Sequence, residues 1–395
     1  MANALREARS LGLDCVQVFT KNQQQWSAPP LSPGAVSEWD AERRAMGWAT
    51  GEGAPDRVVS HASYLANLAS PDPALNARSV ALMREEVARC EALDIPLLVF
   101  HPGAAVGSSE DEAEGRIVSA CCELLRAPGR TVLCLENVAG QGSTIGRTLE
   151  QLARLRARAI DAGAPAHRLG FCLDSCHAHA GGYDLSTRTG AEEFVAGVER
   201  TVTVAAVRVL HLNDSKGAAG SRVDRHQHIG EGTIGLAGFR VLVNVACWAQ
   251  VPKIMETPKG QNGTVAWDTI NVSRLRSLVG RADEPGTVLD PISAGPPVRD
   301  PEVGTIRTSK SASRSPKRPA AHGTPKTGAS TGPRPASKSA RGKPGDGRAG
   351  PAGRAGGTSA SARVGKARGV GKARASRGTD SGRSGRKRAG RRKPG

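Results

Sequence analysis

Nine residues of the types that ligate metals stand at the ends of short apolar runs or in the loops that follow them. His61 follows Val58-Val59-Ser60, His101 follows Leu97-Leu98-Val99-Phe100, and Glu136 follows Leu133-Cys134-Leu135. Asp174 follows Phe171-Cys172-Leu173, and His177 comes three residues later. His211 follows Val209-Leu210, Glu256 follows Ile254-Met255, and Val223-Asp224-Arg225-His226 supplies Asp224 and His226. Taken singly, such a histidine is a solvated loop residue or a satisfied core group, and such a carboxylate is a helix cap or an ion-pair partner. A whole set of carboxylates and imidazoles gathered without a compensating cation would cost several kcal/mol per group. Divalent cations resolve that cost. Five imidazoles favour zinc over magnesium or calcium, which prefer all-oxygen shells. Nine donors exceed one four-coordinate site and suit two or three ions with a bridging carboxylate and bound water. A multi-metal site of that kind suits phosphoryl chemistry.

For the nine to meet, the apolar runs must be parallel strands sharing one carboxyl end. Seven candidate strands occur, at 14–19, 58–60, 95–100, 131–135, 169–173, 207–210 and 253–255. Between them lie stretches of helical periodicity, including 75–93, 112–125, 148–160 and 191–204. Near-continuous apolar strands alternating with amphipathic helices predict a parallel sheet covered by helices. The fold class expected is α/β, a TIM-type (β/α)8 barrel whose active site lies at the carboxyl ends of its strands. A closed barrel needs eight strands. Here residues 2–13 (Leu5, Ala8, Leu11) read as a helix, so the first strand is missing from the pattern.

Charge divides the chain. Residues 301–395 carry 25 Lys and Arg against three acids (Glu302, Asp346, Asp380), a net of +22; the first 300 carry 30 basic and 34 acidic residues, a net of −4. The last 95 residues have no Cys, Trp, Tyr or Phe and cannot bury enough apolar surface to offset the entropy of ordering. The expected organisation is a barrel over residues 1–285 and a disordered basic tail over 286–395. The tail suits sequence-independent binding to nucleic acid or recognition by an import receptor, with Ser315-Pro-Lys-Arg-Pro319 and the terminal basic cluster as the import signals. All eight cysteines fall in the body, without a CxxC pair, and read as reduced core thiols. No apolar run is long enough to span a membrane and Met1 does not open a signal peptide. The expected location is the nucleus in a eukaryotic or eukaryotic-virus setting, otherwise cytoplasm and nucleoid, and not outside the cell.

Several segments match one family in order and spacing. They are Phe19-Thr-Lys-Asn-Gln-Gln-Gln-Trp26, His61-Ala-Ser-Tyr-Leu65, Phe100-His-Pro-Gly103, Leu135-Glu-Asn-Val-Ala-Gly-Gln-Gly142, Cys172-Leu-Asp-Ser-Cys-His-Ala178, Gly182-Tyr-Asp184, His211-Leu-Asn-Asp-Ser-Lys216, Gly220-Ser-Arg-Val-Asp-Arg-His226, Gly230-Glu-Gly232 and Met255-Glu-Thr-Pro258. Through them the body, to about Gly280, resembles endonuclease IV, the zinc-dependent apurinic/apyrimidinic endonuclease. The resemblance implies three zinc ions. One would be held by His61, His101 and Glu136, a second by Glu136, Asp174, His211 and Glu256, and a third by His177, Asp224 and His226. A hydroxide bridging the first two, positioned with the help of Glu136 as catalytic residue, would attack the phosphate 5′ to an abasic site in double-stranded DNA. The products would be a 3′-hydroxyl and a 5′-deoxyribose phosphate, and blocked 3′ ends would also be trimmed. No organic cofactor is implied, and a monomer is expected.

The resemblance also implies a flipped abasic nucleotide. Tyr64 and Leu65 would press into the gap left by the lost base, with ordinary packing as the competing account of Leu65. Lys216, Arg222 and Arg225 would contact phosphate, or would simply be solvated loop charges. Two departures stand out. Gln24 takes the place of an Arg in the family's Lys-Asn-x-Arg-x-Trp loop, which brings no charge into a groove. The family's first strand, with its Gly-x-His-x-Ser motif, is absent, which would leave two unpaired barrel edges; a start placed too late in the gene is the simplest account, a poorly folding truncated chain the other. Two other functions compete: a metal-dependent sugar isomerase or epimerase on a related barrel, for which five of the nine ligands are surplus, and an inert DNA-binding barrel, against which the intact ligands argue.

Overall fold

The computed structural model describes residues 1–48 and 54–281. The expected boundary at 285/286 and the basic tail lie outside the described residues. All seven candidate strands form: β1 (Val16–Val18), β2 (Val58–His61), β3 (Leu97–Phe100), β4 (Val132–Glu136), β5 (Leu169–Asp174), β6 (Val207–His211) and, later in the chain, a short seventh over Lys253–Ile254. Two two-residue strands, β7 (Asp214–Ser215) and β8 (His226–Gln227), pair antiparallel between β6 and that seventh strand, which is therefore β9. A second small pair, β10 (Gln261–Asn262) and β11 (Val265–Ala266), follows it.

The sheet runs β1-β2-β3-β4-β5-β6-β9, every neighbour parallel. Among the described residues this is a TIM-type barrel one strand short of eight. β1 and β9 are its two edges, and a cavity of ≈ 860 Å³ lies beside them, with Cys15, Gln17, Lys253 and Met255 in its wall together with Ala8 and Leu275. Two hydrogen bonds cross between the edges: the Cys15 thiol donates to the Lys253 carbonyl at 3.5 Å, and the Gln17 amide donates to Glu256 at 2.6 Å.

The expected helices form as α1 (Ala2–Ser10), α3 (Pro73–Ala92), α4 (Glu110–Leu124), α5 (Leu149–Asp161) and α7 (Arg188–Thr201). Four more form among the described residues: α2 (Pro33–Ala45), α6 (Ser175–Gly181), α8 (Gly235–Val243) and α9 (Trp267–Leu278). Local chemistry starts several of them. Ser109 and Glu112 form a reciprocal capping box at α4, and Asp72 caps α3 ahead of a proline in its first turn. No helix among the described residues is long and apolar enough to cross a membrane.

Strand alternation sorts the core into two clusters. Leu98, Phe100, Leu133, Leu135, Leu169, Phe171, Leu173 and Leu210 belong to a large outer cluster that also contains the buried faces of the helices. Val59, Leu97, Val99, Val132, Cys134, Cys172, Val209 and Ile254 form a separate cluster enclosed by the strands, with Cys15 packed against it. The cysteines are free thiols, as expected, but Cys247 is exposed on a 3-10 turn (Ala246–Trp248) where the sequence suggested a core position. The apolar run there instead buries Trp248.

Candidate metal centre

The inner cluster sets the direction of the chemically active side chains. Residues two apart on a strand share a face. His61 stands two beyond Val59, His101 two beyond Val99, Glu136 two beyond Cys134, Asp174 two beyond Cys172, His211 two beyond Val209 and Glu256 two beyond Ile254. Each therefore continues the inward face of its strand past the apolar plug to the carboxyl end. A β-bulge keeps the last pair level: Phe171 pairs with Val207 but Cys172 with Val209, so Asp174 comes opposite His211.

The side chains meet as this parity demands. Oε2 of Glu136 lies 3.0 Å from His61 Nε2 and 3.1 Å from His101 Nε2. Its other oxygen, Oε1, lies 3.0 Å from His211 Nδ1 and 3.4 Å from His177 Nδ1. His211 Nδ1 is also 3.2 Å from Glu256 Oε2 and 3.9 Å from Asp174 Oδ2. The loop after β6 brings Asp224 to 3.3 Å from His177 Nε2 and 3.4 Å from His226 Nε2. All nine predicted residues thus fall in one continuous cluster. His61, His101 and Glu136 form one group able to surround an ion, and Glu136, Asp174, His211 and Glu256 form another. The third group differs from expectation in detail: Asp174 joins His177 and His226, and Cys176 joins Asp224 and His226. Cys172 likewise lies beside Glu136 and His211.

Four imidazoles have one ring nitrogen hydrogen-bonded to a backbone carbonyl or to Gln17, His177 Nδ1 doing so while it also lies 3.4 Å from Glu136 Oε1. His61 Nδ1 donates to the Ala62 carbonyl at 2.7 Å, His177 Nδ1 to the Asn137 carbonyl at 2.9 Å, and His226 Nδ1 to the Glu256 carbonyl at 3.2 Å. His211 Nε2 pairs with the Gln17 side-chain oxygen at 2.8 Å. A proton on the committed nitrogen leaves the other as a lone pair, the usual arrangement around metal-ligating histidines. His226 Nε2 is buried with no hydrogen-bond partner among the described residues. An orphaned imidazole nitrogen facing Asp224 and Asp174 fits a cation between them.

The carboxylates are held from behind. Asn213 donates to Asp174 Oδ2 at 2.6 Å and accepts the Glu256 backbone N–H at 2.6 Å. Asn137 donates to the Asp174 carbonyl and accepts the Asp174 N–H at 2.7 Å. The buried Asp214 accepts the N–H groups of Gly230, Gly232 and Ile234, which fixes the Gly-Glu-Gly turn. A Cβ at Gly232 would meet Asp214 Oδ1 at 2.4 Å, so only glycine fits.

Electrostatics follow from crowding. Burial opposes ionisation of Glu136, but His211, His101 and His177 outweigh it and hold its carboxyl well below the usual range. Burial likewise opposes protonation of His177 and His211. Asp174, Asp224 and Glu136 around the first, and Cys172, Glu256 and Glu136 around the second, nonetheless raise both well above the usual histidine value. Protons thus occupy, in the bare cluster, the places that divalent ions would take.

The predicted DNA-contact residues differ in their placement, and Tyr64 lies against the cluster. Tyr64 is 56% exposed, its ring 5.1 Å from that of His61 and 5.5 Å from that of His101. Leu65 is half-buried and packs against the outer core, in line with its packing alternative. Gln24 is exposed on a loop pinned at both ends: Lys21 donates to the Gln25 carbonyl, Ser63 donates to the Gln23 carbonyl, and Arg78 covers the Trp26 ring. Lys216, Arg222 and Arg225 are all exposed around the β7–β8 hairpin. Sequence reasoning missed Gln17, Asn137 and Asn213, whose amides are not ligand types. Gln17 was findable, because it stands two beyond Cys15 and so shares the parity of the ligands.

The family whose description is a xylose isomerase-like TIM barrel matches residues 5–276. "Probable endonuclease 4" of Chloroflexus aurantiacus is 42% identical over 286 residues, covering 72% of this chain and 95% of the relative. The chain belongs to the endonuclease IV family. A second such relative, from Geobacter sulfurreducens, is 40% identical over 274 residues, 69% of this chain and 88% of its own. The crystal structure of endonuclease IV from Thermus thermophilus superposes with a TM-score of 0.60 at 34% identity, over 70% of this chain and 93% of that one. A D-tagatose 3-epimerase-like protein shares the fold at 20% identity, TM-score 0.52, over 70% of this chain and 92% of that one. Endonuclease IV membership settles the family in favour of the nuclease branch, and the epimerase-like protein marks the breadth of the barrel.

Proposed function

We propose that this endonuclease IV family member is a zinc-dependent hydrolase of abasic DNA. In this reading it cuts the phosphodiester 5′ to the lesion, leaves a 3′-hydroxyl and a 5′-deoxyribose phosphate, and trims blocked 3′ ends in base excision repair. The observation that carries the reading is the convergence of all nine candidate ligands in one cluster at the strand ends. A site of two metals would leave His177, Asp224 and His226 without a task. Three zinc ions, held as the family resemblance implies, use every donor. Bound ions of this kind supply a nucleophile at neutral pH and neutralise charge on the phosphate.

The chain's own groups do the rest. Glu136 presents its two oxygens to two different histidine sets and so ties the groups into one unit. Tyr64 offers an exposed ring against the gap of a lost base, where unstacking costs least. Lys216, Arg222 and Arg225 bind flanking phosphates, and the uncharged Gln24 hydrogen-bonds in a groove. The basic tail adds a salt-sensitive, sequence-independent tether.

An incision assay on a duplex bearing one abasic site tests this, with Glu136→Gln as control. Wild type with zinc should cut 5′ to the lesion, and the variant should be slower by more than ~100-fold, beyond what removal of a merely supporting group costs. Equal rates for the two would end the proposal.

A further inference from the structure

We infer that Gln17 is a positioning residue of the centre, one that fixes both the tautomer of His211 and the rotamer of Glu256 for a divalent cation held between them. This rests on the reading of the cluster as a metal centre. Three of the committed imidazole nitrogens are tied to backbone carbonyls, which no side-chain substitution removes. His211 alone is tied to a side chain.

The two hydrogen bonds of Gln17 determine each other. Its Nε2 lies 2.6 Å from Glu256 Oε1, and Oε1 of a carboxylate can only accept, so the amide nitrogen faces Glu256. The amide oxygen must then face His211 Nε2, 2.8 Å away. An amide oxygen only accepts, so the proton of His211 sits on Nε2. Its Nδ1 is left with a lone pair, pointed at Glu136, Glu256 and Asp174. The same amide occupies Oε1 of Glu256 and leaves Oε2, the oxygen 3.2 Å from His211 Nδ1, free to ligate.

The placement is also economical in the fold. Gln17 sits on an edge strand with no strand partner on that side among the described residues, and its side chain bridges from β1 to the residue that follows Met255 after β9. It thus links the two open edges at the height of the cluster. Gln17→Leu removes both hydrogen bonds. Gln17→Glu keeps an acceptor for His211 Nε2 but sets a second carboxylate against Glu256.

The test uses the full-length, zinc-loaded protein and a chromogenic chelator that reports zinc release. Both variants should lose one zinc equivalent about 10- to 100-fold faster than wild type, the scale for losing an outer partner of a metal ligand, and should keep the remainder at the wild-type rate. Imidazole nitrogen-15 spectra give a readout that general loosening would not produce. In the zinc-loaded protein the His211 Nε2–H should show the shift of a hydrogen-bonded N–H in wild type and in Gln17→Glu, and should lose that shift in Gln17→Leu. Unfolding of the chelator-treated proteins controls for folding; if Gln17→Leu does not fold, the near-isosteric Gln17→Glu carries the release test. Wild-type release together with an unchanged His211 Nε2–H shift in Gln17→Leu overturns the assignment of Gln17 alone. A wild-type protein that holds no zinc overturns the metal-centre reading, and this inference with it.

Discussion

His61 Nε2 and Glu136 Oε2 lie 3.0 Å apart although 75 positions separate them in the chain. Both side chains are buried, and Glu136 carries its opposite oxygen to His211. One carboxylate therefore ties three strand ends, and the account is most exposed at that residue. Glu136→Gln keeps the shape and removes the charge that faces the histidines. We expect the variant to fold but to bind fewer zinc ions than wild type. Metal content per chain after gel filtration checks this, and full wild-type zinc in the variant would contradict it.

Asn213 touches no predicted ion but holds two ligands, Asp174 through its amide and Glu256 through that residue's backbone N–H. Asn213→Ala should weaken zinc binding about 10- to 100-fold. It should also cost roughly 1–3 kcal/mol, because a charged acceptor and a backbone donor lose their partner. Competition against a zinc chelator and denaturant unfolding measure the two effects separately.

The pH dependence of stability should invert when metal is removed. In the bare protein His177 and His211 have folded values raised above their unfolded ones. Their contribution is fully present below the unfolded histidine value of about 6.5 and is lost as pH rises through the raised folded values. Glu136 acts oppositely: its depressed value contributes above the unfolded carboxylate range and is lost as pH falls through the folded value. Metal-free protein should therefore lose stability as pH rises above neutrality. Zinc competes with the same protons, so the added stability from zinc should grow over that interval. Melting curves with and without zinc across pH 6–9, roughly spanning the histidine range, test the crossing.

Tyr64 and Leu65 are neighbours with different burdens. Tyr64 is largely exposed, so Tyr64→Ala should change stability by no more than about 0.5 kcal/mol while raising KM for abasic DNA. Leu65 packs against the core, so Leu65→Ala should destabilise the fold more than it changes KM. A KM effect of Leu65 without a stability effect would return it to the DNA surface.

Lys216, Arg222 and Arg225 are exposed in one loop region. Replacing all three by Ala should flatten the dependence of log affinity on log salt by about 0.9 for each phosphate no longer neutralised. Titrations of labelled abasic duplex at several salt concentrations give the slope. An unchanged slope would make these three solvated charges.

The barrel was legible because its strands are near-continuous apolar runs, and six of the ligands because they close such runs, from His61 to Glu256. What the sequence hid has physical reasons. α2 buries only Trp39 and Arg43, so its apolar period is weak even though Ser32 and Pro33 mark its start. α6 is seven residues long and buried throughout, so it has no polar face to reveal it, yet it carries His177. Gln17, Asn137 and Asn213 support the centre through amides, which a search for carboxylates and imidazoles passes over. The exposed Cys247 shows that an apolar neighbourhood in sequence is not burial when a turn intervenes.

Zinc content of the purified full-length chain tests the central claim most directly. With nine donors around one cluster, elemental analysis should find close to three zinc ions per chain, removable by chelator and restored by zinc alone. A protein that purifies without zinc and takes up none, or that instead holds one or two magnesium or manganese ions, would contradict the account.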